Sequence, residues 1–217
     1  MSIANNVKHV RQTIEQHRAG QDVTLIAVTK SVGPDVATAL YEEGVRHFGE
    51  NRPEGLLAKA EMLPDDALIH FIGSLQTRKV RQIIDRVAAI HSLDRLSLAA
   101  EIDKRANRVI DCFVQVNVSG EASKHGIEKE EVHAFIENCK QYPHIRVIGL
   151  MTMAPLTEDE SVLRDTFHQL RTLRDDVLAK GYAHAPCTEL SMGMSNDYPI
   201  AVEEGASFVR IGTILVQ

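Results

Sequence analysis

The strongest limit on the fold is a recurrence: eight short strand-like runs, separated by segments with helical periodicity. They begin near residues 25, 45, 68, 87, 109, 145, 188 and 207, as "LIAVTK", "VRHFGE", "LIHFIG", "VAAIHS", "VIDCFVQVNVS", "IRVIGLMTM", "TELSMG" and "SFVRIGT". The segments between them carry helix signals. Pro34 fits a first helical position because it needs no amide partner there, Val36 and Leu40 follow it, and Gly44 tolerates a left-handed end. Ser92 reads as a cap for the segment containing Leu93, Leu96 and Ala100. Val162, Leu163, Leu170, Leu173 and Val177 give a longer helix one apolar face. Parallel strands joined by crossover helices are the simplest arrangement. The even eightfold beat favours a closed (β/α)8 TIM barrel, and an open doubly wound sheet is the alternative.

The ends of the chain add to this reading. Ile3, Val7, Val10 and Ile14 fall on one side of a helix ahead of the first strand, whereas only Ile214 to Gln217 follow the last-strand turn. An outer helix is therefore expected to be missing after the eighth strand, with the N-terminal helix covering that stretch of wall. No linker or low-complexity block divides the sequence, so residues 1–217 are expected to form a single domain.

Composition narrows the function classes. With 217 residues, 44% of them hydrophobic, the chain can bury a large core. A formal charge of -6 and a pI near 5.9 offer little general attraction to nucleic acid. The local basic runs are "TRKVR" at 77 to 81 and the cluster Lys104, Arg105 and Arg108, which read first as solvated helix faces. Cys112, Cys139 and Cys187 form no CxxC pair, no disulfide framework and no zinc spacing, and the histidines include no HExxH arrangement. A cytoplasmic location without a metal is expected, and no apolar run is long enough to cross a bilayer. Buried thiols are the plain reading, with Cys187 a redox-sensitive candidate if exposed.

In a barrel of this kind the ligand site is assembled from loops at the carboxyl ends of the strands, and those after strands seven and eight often hold phosphate. Lys30 ends the first strand, Asn51 follows the second in "FGEN", "LSMGMSND" follows the seventh, and the eighth runs into "VRIGT". An amine attacks an aldehyde in its unprotonated form, which makes Lys30 a candidate for an imine. Ser195 and Thr213 offer hydroxyl donors to phosphate, and glycine at 212 lets backbone amides approach the same anion. Asp197 reads as a cap for a following short helix. Plainer roles stand beside these: a snorkelling strand-end lysine at 30, a turn former at 51, a helix start at 195 to 197, and an exposed strand-end cation at Arg210.

The stretches "AVTK", "HFGEN", "HFIGSLQTRK", "IHSLDR", "QVNVSGEASKHGI", "GLMTM", "LSMGMSNDY" and "VRIGT" resemble, in that order, the pyridoxal 5'-phosphate (PLP) homeostasis proteins related to the N-terminal barrel of alanine racemase. The resemblance runs from about residue 7 to residue 215, and the pairing of "LSMGMS" with "VRIGT" is its most specific part. It implies PLP as cofactor, held as a covalent imine on Lys30, with Asn51 approaching the cofactor. Ser195, Gly212 and Thr213 are implied as phosphate contacts, and Arg210 as partner of the pyridine nitrogen. "LQTRK" departs from a serine-asparagine pair common in relatives, and "TILVQ" ends where many continue with a glycine- and arginine-containing tail.

The implied function is cofactor homeostasis: PLP held and supplied or buffered, with PLP-dependent apoenzymes or cofactor-synthesis enzymes as partners, by a monomer. A bound cofactor does not establish an enzyme. A guanidinium beside the ring nitrogen disfavours a second positive charge there and weakens the ring as an electron sink. Racemisation also needs proton handling on both faces of a carbanion, and relatives among the alanine racemases use a further domain and a partner-subunit tyrosine for the second face. His70, His91 and Tyr198 are formal candidates for it, although a core role suits each better. A low-activity PLP-dependent amino-acid racemase is the alternative function, and a nucleic-acid module using residues 77 to 81 is a more distant one. Glu121 and Lys124 in "NVSGEASKHGI" are expected near the mouth, Lys124 as a possible transient acceptor of the aldehyde.

Overall fold

In a computed structural model of the protein, which describes residues 2–120 and 125–217, the eight runs are the eight staves of a barrel. They are β1 (Thr24–Val28), β2 (His47–Glu50), β3 (Leu68–Phe71), β4 (Ala89–Leu93), β5 (Ile110–Asn117), β6 (Ile145–Met151), β7 (Glu189–Met194) and β8 (Phe208–Ile211). All neighbours pair in parallel in the order β4-β3-β2-β1-β8-β7-β6-β5, and β4 pairs with β5 to close the ring. Closure leaves no exposed edge and places every strand between outer helices and an inner filling. A two-residue strand, Ile127–Glu128, adds to the far end of β5. Glu121 and Lys124 lie outside the described residues.

The helices follow the sequence signals where those are backbone-encoded. Helix α2 (Pro34–Glu42) opens on its proline, and Gly44 beyond it has φ +78°, a left-handed conformation that glycine adopts without strain. Helices α3 (Pro53–Met62), α4 (Val80–Ile83), α5 (Leu96–Arg105), α6 (Val132–Cys139), α7 (Glu160–Ala179) and α8 (Tyr198–Glu203) complete the outer layer. Along α7 the buried face is Leu163, Thr166, Phe167, Leu170 and Val177, whereas Val162 is exposed and Leu173 only partly covered. None of the helices of the described residues is long and apolar enough to cross a membrane.

Two expected caps are corrected. Ser92 lies inside β4, 1% exposed and without a hydrogen-bond partner for its hydroxyl, while α5 starts at Leu96 behind Arg95 with no side-chain cap. Asp197 does sit ahead of α8, yet its carboxylate turns back and accepts from the Met194 amide at 2.6 Å. A cap is worth only about 1 kcal/mol, and it gives way to strand packing at Ser92 and to a local turn bond at Asp197.

Helix α1 (Ile3–His17) buries Asn6, Val7, Val10 and Ile14 and packs against α2, α8 and the last helix, α9 (Thr213–Val216). A single turn of helix therefore does follow β8, and α1 lies over it. Asn6 joins the two by donating from Nδ2 to the carbonyls of Leu215, at 3.2 Å, and Gln217, at 3.0 Å. Both ends of the chain are thus stitched together on the wall between α8 and α2. The three thiols are buried and free, and Cys187, whose thiol burial pushes up to about 12, is not a reactive group.

Candidate functional site

Loops at the carboxyl ends of the strands surround a cavity of about 470 Å³. Its wall includes Lys30 beyond β1, Asn51 beyond β2, Gly73 beyond β3, Ser195 beyond β7, and Arg210, Gly212 and Thr213 at the end of β8. All six residues singled out from the sequence therefore face one space. Lys30 and Thr213 are exposed at the mouth, Asn51, Ser195 and Gly212 are half-buried, and Arg210 is sunk in the floor.

Close backbone contact fixes two parts of this wall. A Cβ at Gly73 would lie 2.6 Å from the Asn51 carbonyl oxygen, so the exits of β2 and β3 touch there only because residue 73 has no side chain. On the opposite side, the Gly212 amide donates to Ser195 Oγ at 3.2 Å, tying the loops after β7 and β8 together. That bond uses an acceptor lone pair of Ser195 and leaves its hydroxyl hydrogen free to be donated into the cavity. With Thr213 beside it, this end of the cavity presents hydroxyl donors, the pattern an anion such as a phosphate requires.

Lys30 and Asn51 are held from behind by a buried ion pair. Thr29, next to the lysine, donates to Glu50 Oε1 at 2.6 Å, and Glu50, next to Asn51, pairs with Lys59 of α3 at 3.4 Å. Glu50 is 2% exposed, so the ends of β1 and β2 are locked to one carboxylate.

Arg210 departs from the plain reading of an exposed strand-end cation: it is 4% exposed. Its Nη1 donates to Ser191 Oγ at 2.6 Å and its Nη2 to the Thr152 carbonyl at 2.9 Å. Both acceptors are neutral, and burial lowers its pKa to about 10 against a weaker opposing pull from Asp197. Two of its five N–H bonds are accounted for in this way, which leaves donors for a ligand above the floor. Burial also raises the pKa of Asp197, partly offset by the Met194 amide and Arg210.

Behind Arg210 lies an arrangement that sequence reasoning did not assemble. His91 Nδ1 is 2.8 Å from Ser191 Oγ, His70 Nδ1 is 2.9 Å from His91 Nε2, and His47 Nδ1 is 2.9 Å from His70 Nε2. His70 and His91 are thus interior groups, as the core reading held, and neither lines the cavity. The available signal was a single histidine in each of three consecutive strands. His47 pairs in register with Leu68, two residues before His70, and His70 pairs with Ala89, two residues before His91. A step of two preserves the face, so all three side chains point inward. Tyr198 is buried and also absent from the cavity wall.

Comparison with known proteins places this geometry in a context. The whole chain, residues 1–217, matches the family model described as alanine racemase, N-terminal domain. It is 42% identical to the pyridoxal phosphate homeostasis protein of Aquifex aeolicus over 96% of this chain and 93% of that one. PipY of Synechococcus elongatus, solved with PLP bound, is 32% identical with a TM-score of 0.88 and full coverage of both chains. Alanine racemase of Corynebacterium glutamicum, at 16% identity and a TM-score of 0.77, shares the fold over 98% of this chain and 59% of its own.

Proposed function

The chain belongs to the alanine racemase N-terminal domain family and, within it, to the pyridoxal phosphate homeostasis proteins, and from that premise we propose that it binds PLP and buffers or supplies it inside the cell. The observation that carries this reading is the convergence of Lys30, Asn51, Ser195, Arg210, Gly212 and Thr213 on one cavity. The donor set suits the cofactor's chemistry: hydroxyls at one end for a phosphate, a primary amine at the mouth for an aldehyde, and a buried guanidinium for a ring nitrogen. PLP supplies a reactive aldehyde and a conjugated ring that can draw electrons from whatever it is joined to.

Each residue has a role in this reading. Lys30 is the covalent anchor, Asn51 positions the ring side, and Ser195, Gly212 and Thr213 hold the phosphate. Arg210 donates to the ring nitrogen, which keeps that nitrogen unprotonated and the ring a poor electron sink. Among the described lining residues the other titratable group is Asp197, whose carboxylate is committed to the Met194 amide. A second proton-transfer group opposite Lys30 is what racemisation would require, so the arrangement supports a carrier more than a racemase. As partners we propose PLP-dependent apoenzymes or enzymes that make the cofactor. Met153, Leu156 and Met194, exposed at 39, 94 and 37%, give the mouth an apolar edge for such a protein to meet.

The test is chemical. Loading the protein with PLP, reducing with borohydride and mapping peptides should find the adduct at Lys30 and none in Lys30→Ala. An adduct distributed over surface lysines, or one that survives that substitution at the same occupancy, refutes the assignment. Interconversion of amino-acid enantiomers abolished by the same substitution would promote the racemase reading instead.

A further inference from the structure

We propose that Asp197 limits how tightly the cavity grips a phosphate: its buried carboxylate borders the phosphate end, so a phosphate dianion is held there together with one proton and is let go when that proton leaves. This role rests on the reading of the cavity as a PLP site and adds to it a residue that governs release.

A tight turn between β7 and α8 places the carboxylate. The Asp197 amide donates to the Met194 carbonyl at 3.1 Å, and the Met194 amide donates to Asp197 Oδ1 at 2.6 Å. Ser195 sits inside that turn, where its Oγ accepts from the Gly212 amide at 3.2 Å. Asp197 is 7% exposed, and it lines the cavity together with Ser195, Gly212 and Thr213. One turn therefore carries both a hydroxyl for the anion and a carboxylate beside it.

The charge at this end is not balanced. Lys30, Asp197 and Arg210 are the charged residues of the described wall, and of these Asp197 alone belongs to the turn that carries Ser195. Lys30 stands at the exposed mouth. Arg210 of β8 draws on the carboxylate, yet its protein hydrogen bonds run to Ser191 and Thr152. The helices packed on α8 bring their charged groups to its other end: His17 of α1 and Arg164 of α7 pair with Glu203, and Arg164, His168 and Arg171 of α7 pair with Glu204. Burial raises the pKa of Asp197, against the Met194 amide and Arg210, so it takes up a proton more readily than a surface aspartate does.

A phosphate monoester loses its second proton near pH ~6, so it arrives at neutral pH mainly as a dianion. Two like charges sharing one site disfavour each other's ionised forms, and the pair keeps a proton that neither group would keep alone. The balance is one carboxylate, one dianion and one solvent proton going to a single O–H bond, on the carboxyl or on the phosphate, donated to the other. No bond between heavy atoms changes. When the proton is lost the two anions face one another, and the grip weakens. A carrier gains from this, because the site holds its cargo without making release prohibitive.

Asp197→Asn tests this, with pyridoxal as the control, since pyridoxal offers Lys30 the same aldehyde but has no phosphate. The asparagine oxygen still accepts from the Met194 amide, so the turn is kept. Absorbance titrations at about pH 6 and about pH 8 give the ratio of PLP affinity to pyridoxal affinity, in which the shared pH dependence of the imine cancels. In the wild type that ratio should fall about 10-fold from the lower to the higher pH, the effect of one linked proton over about one pK unit. In the variant it should not fall, and at the higher pH it should exceed the wild-type ratio about 10-fold. A wild-type ratio that does not change with pH, or a variant ratio equal to it at the higher pH, refutes the role and leaves Asp197 closing a turn. Proton uptake by the wild type, followed with an indicator dye in weakly buffered solution at neutral pH, should be greater for PLP than for pyridoxal, by up to about one proton per site. Equal uptake refutes the role as well, and this measurement decides if the variant does not fold. Failure of the wild type to bind either aldehyde would refute the cofactor reading and this role with it, whereas binding with equal ratios refutes the role alone.

Discussion

Replacing Lys59 with methionine tests whether the buried carboxylate behind the site holds the ends of β1 and β2. Lys59 Nζ lies 3.4 Å from Glu50 Oε1, with the two side chains 9% and 2% exposed. The carboxylate packs against the backbone of α3 at Gly55, where a side chain would have no room: a Cβ there would stand only 2.3 Å from its other oxygen. Methionine keeps the length and apolar stem of lysine and deletes the charge, leaving Glu50 with the Thr29 hydroxyl at 2.6 Å as its remaining compensation. Removing one member of a buried pair costs about 3–5 kcal/mol, through the stranded charge. For a protein of this size each kcal/mol moves Tm by about 2–4 °C, so a fall of about 6–20 °C is expected. Glu50→Gln in the same chain removes the stranded charge while its amide oxygen still accepts from Thr29. The double variant should recover most of the loss in urea unfolding, because a neutral substitute for a buried pair is often no less stable than the pair. PLP capture should follow the same order, since Thr29 adjoins Lys30 and Glu50 adjoins Asn51. A Lys59→Met loss under about 1 kcal/mol, or a double variant no better than the single one, would refute the reasoning.

The interior histidines predict acid sensitivity. Their folded-state pKa values are lowered, His70 to about 3, so in acid the unfolded chain takes up protons first and stability present above pH ~6.5 is lost as pH falls toward 3. His70 and His91 should each add up to ~1.4 kcal/mol per pH unit to that slope, visible in urea midpoints at successive pH values and reduced in His70→Gln; a flat profile from pH 6 to 4 would contradict it. Deleting residues 1–18 should expose the wall that Val7, Val10 and Ile14 cover and lower both Tm and solubility, and unchanged values would reject the covering role. Asn6→Ala, which strands the buried Leu215 carbonyl, should cost about 1–3 kcal/mol in the same unfolding assay.

The barrel was legible because its information is local and repeated. A run such as "LIAVTK" is apolar on both faces over Leu25 to Val28, as a strand between two layers is, and Pro34 and Gly44 mark helix ends through backbone restrictions that context does not change. The convergence of Lys30, Asn51, Ser195, Gly212 and Thr213 was legible for a topological reason: strand ends of a parallel barrel share one face. Ser92 and Asp197 misled because a serine or aspartate ahead of a helix has several partners open to it: distant packing draws Ser92 into β4, and the Met194 amide three residues back takes the Asp197 carboxylate. The burial of Arg210 was hidden for the same cause, since its acceptors, Ser191 and Thr152, come from 19 and 58 residues away in sequence. The His47–His70–His91 chain depends on the register between strands, and register is a property of closure that no single run encodes.

Closure also explains why a polar chain can occupy the inside of this barrel at all. An eight-stranded ring has an interior that side chains must fill, and imidazoles there must meet partners or leave buried nitrogens unsatisfied. A two-residue step from strand to strand places each histidine beside the next, so the rings satisfy one another, and the last one meets Ser191 under Arg210. The guanidinium is then held by a hydroxyl and a carbonyl in place of a directly bonded carboxylate. A carboxylate in that position would spend the positive charge within the protein, whereas neutral acceptors leave it to act on whatever lies above. The same choice that satisfies the barrel interior therefore gives the cavity floor a charged donor, and under the function proposed above that donor would meet the ring nitrogen and resist its protonation, holding a cofactor without activating it.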